Sequence, residues 1–231
     1  MRASAPRAWC APASLGVLAF WGGMLMAAHR YPSEYDWRYM TISSLVYDDR
    51  NPNGYLWARA GIVMCGLAGL YMTAGLARTR RQAGGAECPV GIWALRLGYF
   101  CMVCCALLPE RLLGLPRSHD FLALAAFICV CVGMAHSTFN AVKRSVRPGR
   151  PGNPMLAAAI LAGIPLYPIA LAILAQAYVS FALPQLPWVS LAWRARGVHV
   201  YLSFAFWEWV TCVLFSAYMI ILPRMSLVVG R

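Results

Sequence analysis

The sequence predicts an all-α integral membrane protein: a bundle of six transmembrane helices with both termini inside and a polar first outer loop. Three observations carry this. Hydrophobic residues make up 61% of the 231 positions and charged residues only 12%, against about 25% charged in soluble domains. The mean hydropathy is +0.59, and the apolar residues fall in six long runs, each comparable to the ~20 residues that cross roughly 30 Å of hydrocarbon. Arginines gather at the ends of these runs, which is how membrane orientation is encoded. Residues 1–231 read as one such domain.

The first run covers about 9–28, preceded by Arg2 and Arg7. Bulky Met24 and Met26 stand where a small-residue cleavage site would be needed, so it reads as a retained signal-anchor. The second covers 55–77 and ends on Arg78, Arg80 and Arg81. The third covers 90–108 and closes at Pro109-Glu110-Arg111. The fourth covers 120–142, before Lys143, Arg144, Arg147 and Arg150. The fifth, 154–183, is too long for a straight upright helix. It holds Pro165 and Pro168, which predict a kink near 164–167 because proline lacks the amide donor and crowds the preceding turn. The sixth covers 198–222 and meets Pro223-Arg224.

With both termini inside, eleven Lys and Arg lie in inside segments against seven outside, leaving Arg59 and Arg96 within spans. That bias sets the orientation, and Trp37, Tyr55, Trp57, Trp188 and Trp193 sit where interfacial aromatic belts belong. The net charge of +12 therefore reports topology. No basic stripe with interleaved aromatics is present, so no nucleic acid is expected as a partner. The nine cysteines mostly fall inside apolar runs and none in the outer loops, so no disulfide framework is expected. Small residues such as Gly61, Gly66 and Gly69 recur on the second span, where they allow close helix contact. There is no phosphate-binding loop, dinucleotide fingerprint, nucleophile elbow or paired-histidine metalloprotease helix.

The polar residues that remain need a cause. Six of the eight acids fall in outer loops by this topology, four of them in Tyr31–Gly54: Glu34, Asp36, Asp48 and Asp49. Ion pairing with Arg30, Arg38, Arg50, Arg111 and Arg117 would fold these loops down as a lid; a polar site at the outer leaflet is the alternative. Glu208 lies about ten residues into the sixth run, which at about 1.5 Å per residue is near mid-membrane. An ionised group there costs at least about 2.5 kcal/mol unless paired, so Glu208 should face the bundle interior. Arg59, Arg96, Gln176 and Asn140 are its candidate partners. His29, His119 and His199 fall at the outer rim, with Asp120 directly after His119. Three imidazoles, a carboxylate and a hydroxyl from Ser43 or Ser44 are the components of a zinc site that activates water. The bland reading is interfacial histidines bonded to loop carboxylates.

Thr41-Ile42-Ser43-Ser44-Leu45, then Asn51-Pro52-Asn53-Gly54 and a Gly-rich span, resemble the signature of a bacterial six-span membrane family known as domain of unknown function 998. Pro109-Glu110 followed by His119-Asp120 resembles the step that opens that family's fourth helix. The Ile-Ser pattern after the first span is also similar to six-span proteins of the DRAM/Frag type, one branch of which remodels lipid anchors. Ser44 stands where the first family usually has Asp. The resemblance implies a six-span fold and little chemistry.

Three function classes follow as expectations. The leading one is a non-catalytic accessory or lipid-binding protein of a bacterial inner membrane. Its outer-facing pocket would draw on Asp36, Asp48, Asn51, Glu110, Arg111, Glu208 and Arg59, with membrane lipids and other membrane subunits as partners. The alternative is an intramembrane metal-dependent hydrolase of lipid headgroups using Ser43, Ser44, His119, Asp120 and His199. The third is a small transporter. No cofactor is identifiable from the sequence.

Overall fold

Long helices apolar on every side form the molecule. The computed structural model describes residues 10–82, 90–108, 118–145, 167, 170–182, 184 and 191–228, and among them every regular element is helical. The long helices are α1 (Cys10–His29), α3 (Tyr55–Gln82), α4 (Val90–Leu107), α5 (Ser118–Ser145) and α8 (Phe204–Val228), and two very short ones are α2 (Ile42–Val46) and α7 (Ala192–Ala195). A shorter apolar helix, α6, covers Ala170–Ala182.

Four stretches are long and apolar enough to cross a membrane: α1, Tyr55–Arg78 of α3, α4, and Phe204–Leu222 of α8. The chain is an integral membrane protein by that criterion. The apolar part of α5, Phe121–Ser137, and α6 are shorter. Most of the first half of the predicted fifth span, with its expected kink, lies outside the described residues.

The bundle is built on faces, not on contrast. In α1 the buried positions Ala13, Val17, Phe20, Met24 and Ala27 recur at helical spacing, while Leu15, Leu18 and Leu25 on the other side are more than 60% exposed. Such a helix has no polar face for water, so its outer side is a lipid surface. Helix α1 packs on α3, α3 on α4, and α4 on α5, while α8 closes against α1, α3 and α5. Glycines set the closest approach: a Cβ added to Gly61 of α3 would lie 3.2 Å from the Cα of Gly23 of α1. That is the small-residue contact expected in lipid.

The sixth run departs from its predicted start. Residues 198–203 are not part of α8: His199 and Ser203 are extended and flank a 3-10 turn, Val200–Leu202. The imidazole of His199 accepts from the Tyr201 amide at 3.4 Å and stacks on its ring. This local capping takes the place of helix. It moves Glu208 to the fifth residue of α8, about 6 Å from its start, instead of near mid-membrane.

Candidate functional site

The first connecting segment is where the site is built. After α1 the chain does not stay outside the bundle. Thr41, Ile42, Ser44, Leu45, Val46, Tyr47 and Asn51 are all buried, and α2 sits against α1, α3 and α8. Non-helical backbone enclosed by apolar helices must find partners for its amides and carbonyls, and here it does. The Tyr35 hydroxyl lies 3.0 Å from both the Met40 and Thr41 carbonyls, and the Trp209 indole donates to Met40 O at 3.2 Å. The Asn51 amide nitrogen donates to Ala27 O at 3.1 Å and Leu45 O at 3.3 Å, fastening α1 to α2. Arg59 Nε donates to Val46 O at 3.1 Å while its guanidinium lies over the Tyr55 ring.

Glu208 completes this set. The first amides of a helix have no partner within it, and the side chain of Thr41, the residue before α2, makes no capping bond. Glu208 Oε2 accepts from Ile42 N at 3.0 Å instead. The expected partner was a cation or a side-chain amide. Arg59 is engaged with Val46 and Tyr55, Arg96 lies over Trp93, and Gln176 donates to Ser180. The side chain of Asn140 lies outside the described residues. The actual partner is a backbone donor, which no residue type announces.

Beneath α2 lies a partly open cavity of about 120 Å³. From α5 it is lined by Ala123, Ala126, Phe127 and Val130, which share one helical face. Helix α8 contributes Glu208, Cys212, Phe215, Ser216 and Met219, again one face. Phe20, Ile62, Cys65, Tyr99 and Met102 complete the apolar wall. At the end nearest α2 are Ser43, Cys105, His119 and Glu208. His119 is buried, with Nδ1 3.1 Å from the Cys105 carbonyl, Cys105 Sγ 3.3 Å from the same nitrogen, and the Tyr47 ring against the imidazole at 4.8 Å between centroids. Across the bundle, the Trp21 indole donates to Ser216 Oγ at 3.0 Å.

The cavity thus brings together Ser43, His119 and Glu208 from the sequence-based candidates, and leaves others apart. Ser44 is buried beside Thr41, 3.3 Å between hydroxyls. His29 and His199 are exposed, and neither lines the cavity. Among the described residues no group of three or more His, Cys, Asp or Glu could hold a metal ion. The candidate imidazoles of His29, His119 and His199 do not form such a group, and that of His199 accepts from the amide of Tyr201 in its own 3-10 turn. Asp48 is exposed and accepts from the Asp49 amide. Glu110, Arg111 and the Asp120 side chain lie outside the described residues.

Asp36 has a separate role on the outer side of the same segment. It is buried, accepts from Arg38 Nε at 2.8 Å and Nη2 at 2.9 Å, and lies 3.4 Å from Arg194 of α7. The Arg38 hydrogen bonds hold its carboxyl below the ordinary value of 3.8, against the opposing effect of burial. Glu34 joins Arg194 at 3.3 Å. These pairs tie the first connecting segment to α7, beside a small apolar cluster of Tyr39, Val179, Trp193 and Val198.

Sequence reasoning did not select Tyr35, Trp209, Trp21 or Ser216. Trp209 had a usable signal, an aromatic with a donor next to a buried acid; Tyr35 had none. Comparison with protein-family models, with curated proteins and with solved structures finds no match for this chain.

Proposed function

We propose that this protein seats part of the apolar chain of a membrane lipid in a partly open cavity between its helices, as a non-catalytic lipid-binding component of a bacterial inner membrane. One observation carries the reading: an apolar cavity between α5 and α8 ends at a cluster of polar side chains under α2. Pockets of this composition, mostly apolar with a few polar groups at one place, suit a ligand that is oriented by its head and held by its body. From Glu208 to Met219 the lining of α8 advances about 16 Å, and from His119 to Val130 that of α5 advances the same distance. This is about half the hydrocarbon thickness, the depth of one leaflet. The frame for this reading is the six-span bundle with both termini inside, which puts α2 and the polar end at the outer leaflet.

The test is native mass spectrometry of the protein released from mild detergent. A lipid adduct is expected on the wild type. Ala126→Trp, which fills the cavity, should remove it, whereas Leu124→Trp on the exposed side of α5 should keep it. Equal adducts in both variants would sink the reading.

A second reading, hydrolysis of a lipid headgroup, is favoured by one specific feature: a hydroxyl, an imidazole and a carboxylate line the same cavity in Ser43, His119 and Glu208. It predicts that purified protein releases a product from bound lipid, and that Ser43→Ala stops the release.

A further inference from the structure

The polar end of the cavity holds a thiol against an imidazole, and the sequence explains how they meet. Cys105 lies in the last turn of α4, where carbonyls lose their helical donors. The residue four positions on is Pro109, which has no amide to give. His119 of α5 supplies the donor instead, with Nδ1 3.1 Å from the Cys105 carbonyl. A carbonyl only accepts, so Nδ1 carries the hydrogen, and in the neutral ring the lone pair is on Nε2. Cys105 Sγ lies 3.3 Å from Nδ1 and 3.6 Å from Nε2, and of the two nitrogens only Nε2 can take its proton. The Tyr47 ring packs on the imidazole and fixes its plane. Nucleophile, base and orienting acceptor are in the order that activates a cysteine, a set that tightens when a substrate is bound. Cys65 lines the same cavity but turns to Met219 Sδ at 3.8 Å, which is no base.

We propose that Cys105 is a covalent acylation site, which takes an acyl chain from an ester-linked membrane lipid seated in the cavity; this rests on the lipid-binding reading. His119 Nε2 accepts the thiol proton while Sγ attacks the ester carbonyl carbon. The new C–S bond replaces the C–O bond to the lipid backbone, and the proton passes from His119 to the departing alkoxide. The products are a thioester on Cys105 and a lyso-lipid with a hydroxyl, and nothing is oxidised or reduced. The Ser43 hydroxyl lines the same end and donates to the carbonyl oxygen as charge gathers there. The thiol outdoes Ser43 as acceptor because it ionises more readily and is the stronger nucleophile. The step is a single transfer to the protein itself, drawn forward by the excess of lipid in a bilayer. The transferred chain stays along the apolar face of Ala126, Val130, Phe215 and Met219.

The full-length protein is placed in nanodiscs of phosphatidylethanolamine and phosphatidylglycerol whose acyl chains end in an alkyne. After denaturation the alkyne is coupled to a fluorophore and the labelled peptide is mapped. Label is expected on Cys105, and neutral hydroxylamine, which cleaves thioesters and spares oxyesters, should remove it. Cys105→Ala should lose the label. Cys104→Ser should keep it, since Cys104 is not among the described lining residues. His119→Gln retains an N–H for the Cys105 carbonyl but no base, so its initial labelling rate at neutral pH should fall at least about tenfold. That rate should then climb about tenfold per pH unit with the thiolate fraction, while the wild type levels off once the imidazole is neutral. The other described titratable groups at this end, Tyr47 and Glu208, are the same in both proteins, so parallel pH profiles overturn the role of His119. Mapping the wild type needs no variant to fold: label that resists hydroxylamine, or that sits on Ser43 or Cys104, overturns the proposal. No covalent label, with intact lipid still retained in native mass spectrometry, overturns acylation and leaves lipid binding standing. Loss of both overturns lipid binding itself.

Discussion

Two connecting segments meet at the same end of the bundle and are held in opposite ways. Residues 39–47, with Asn51 and Gly54, turn inward, and backbone groups of 40–46 are answered by Tyr35, Asn51, Arg59, Glu208 and Trp209. Residues 191–203 stay at the rim, with Arg194, Arg196, His199 and Tyr201 exposed. Their ties outward include the Arg194 ion pairs, the bond from the Tyr39 hydroxyl to Val198 O at 2.8 Å and that from the Trp207 indole to Tyr201 O at 2.8 Å. Both segments are polar and both are rich in aromatics. The difference is placement: the first sits where α1, α3 and α8 surround it, so its backbone groups need partners from the protein. The second keeps solvent access at Arg194, Arg196, His199 and Tyr201, whose groups can be satisfied by water, while Trp193 and Ser203 are buried.

The largest test of this contrast is Asn51→Ala. It removes the donor to two buried carbonyls, Ala27 O and Leu45 O. Unmet buried acceptors make this cost about 2–4 kcal/mol, read as a lower thermal midpoint in detergent. A loss under about 1 kcal/mol would mean that water reaches the segment and that it is not enclosed.

Two glycines sharpen the comparison. A Cβ on Gly54 would lie 2.6 Å from Asn51 Nδ2 and 2.7 Å from Ala27 O, so Gly54→Ala should cost about 1–3 kcal/mol by overpacking. Gly197 meets nothing within 4 Å but has φ +71°. Its replacement by Ala should cost about 1 kcal/mol through backbone strain alone. The inner segment is limited by space and the outer one by conformation; the reverse order of these two losses would break that distinction.

Asp36 joins the two segments, and it sets a pH test. Its folded carboxyl titrates below the ordinary 3.8, so its contribution is fully present above that value and is lost as pH falls through the lower folded value. Because Arg38 is half exposed, the effect is about 1 kcal/mol or less. Thermal midpoints taken from pH 5 down to pH 3 should fall more steeply for the wild type than for Asp36→Asn. The smallest effect expected is His199→Ala, within about 0.5 kcal/mol, since the imidazole only caps a rim turn. A loss of several kcal/mol, or of bound lipid, would show that the rim belongs to the cavity.

Much of the helix framework was legible because hydropathy is a local property. Predicted spans 9–28, 55–77 and 90–108 correspond to α1, α3 and α4 within a few residues, apart from the extension of α3 through its arginines to Gln82. The start of α8 was not legible: Val198, Val200 and Leu202 look like span in a hydropathy window, while His199 and Ser203 hold the backbone out of helix. Of the polar candidates, Ser43, His119 and Glu208 converge, and the position of His119 beside Cys105 depends on how α4 packs against α5. No spacing rule covers residues brought together from three separate segments.

By itself the sequence determined the class and the helix framework: apolar runs at membrane length, separated by charged segments. Only the tertiary structure decided which polar groups meet. Helices that are apolar all round carry no amphipathic stripe to fix their rotation, so packing sets which face looks inward. The partner of Glu208 is a backbone amide, and every residue but proline has one, so the bond to Ile42 N–H has no signature in the sequence.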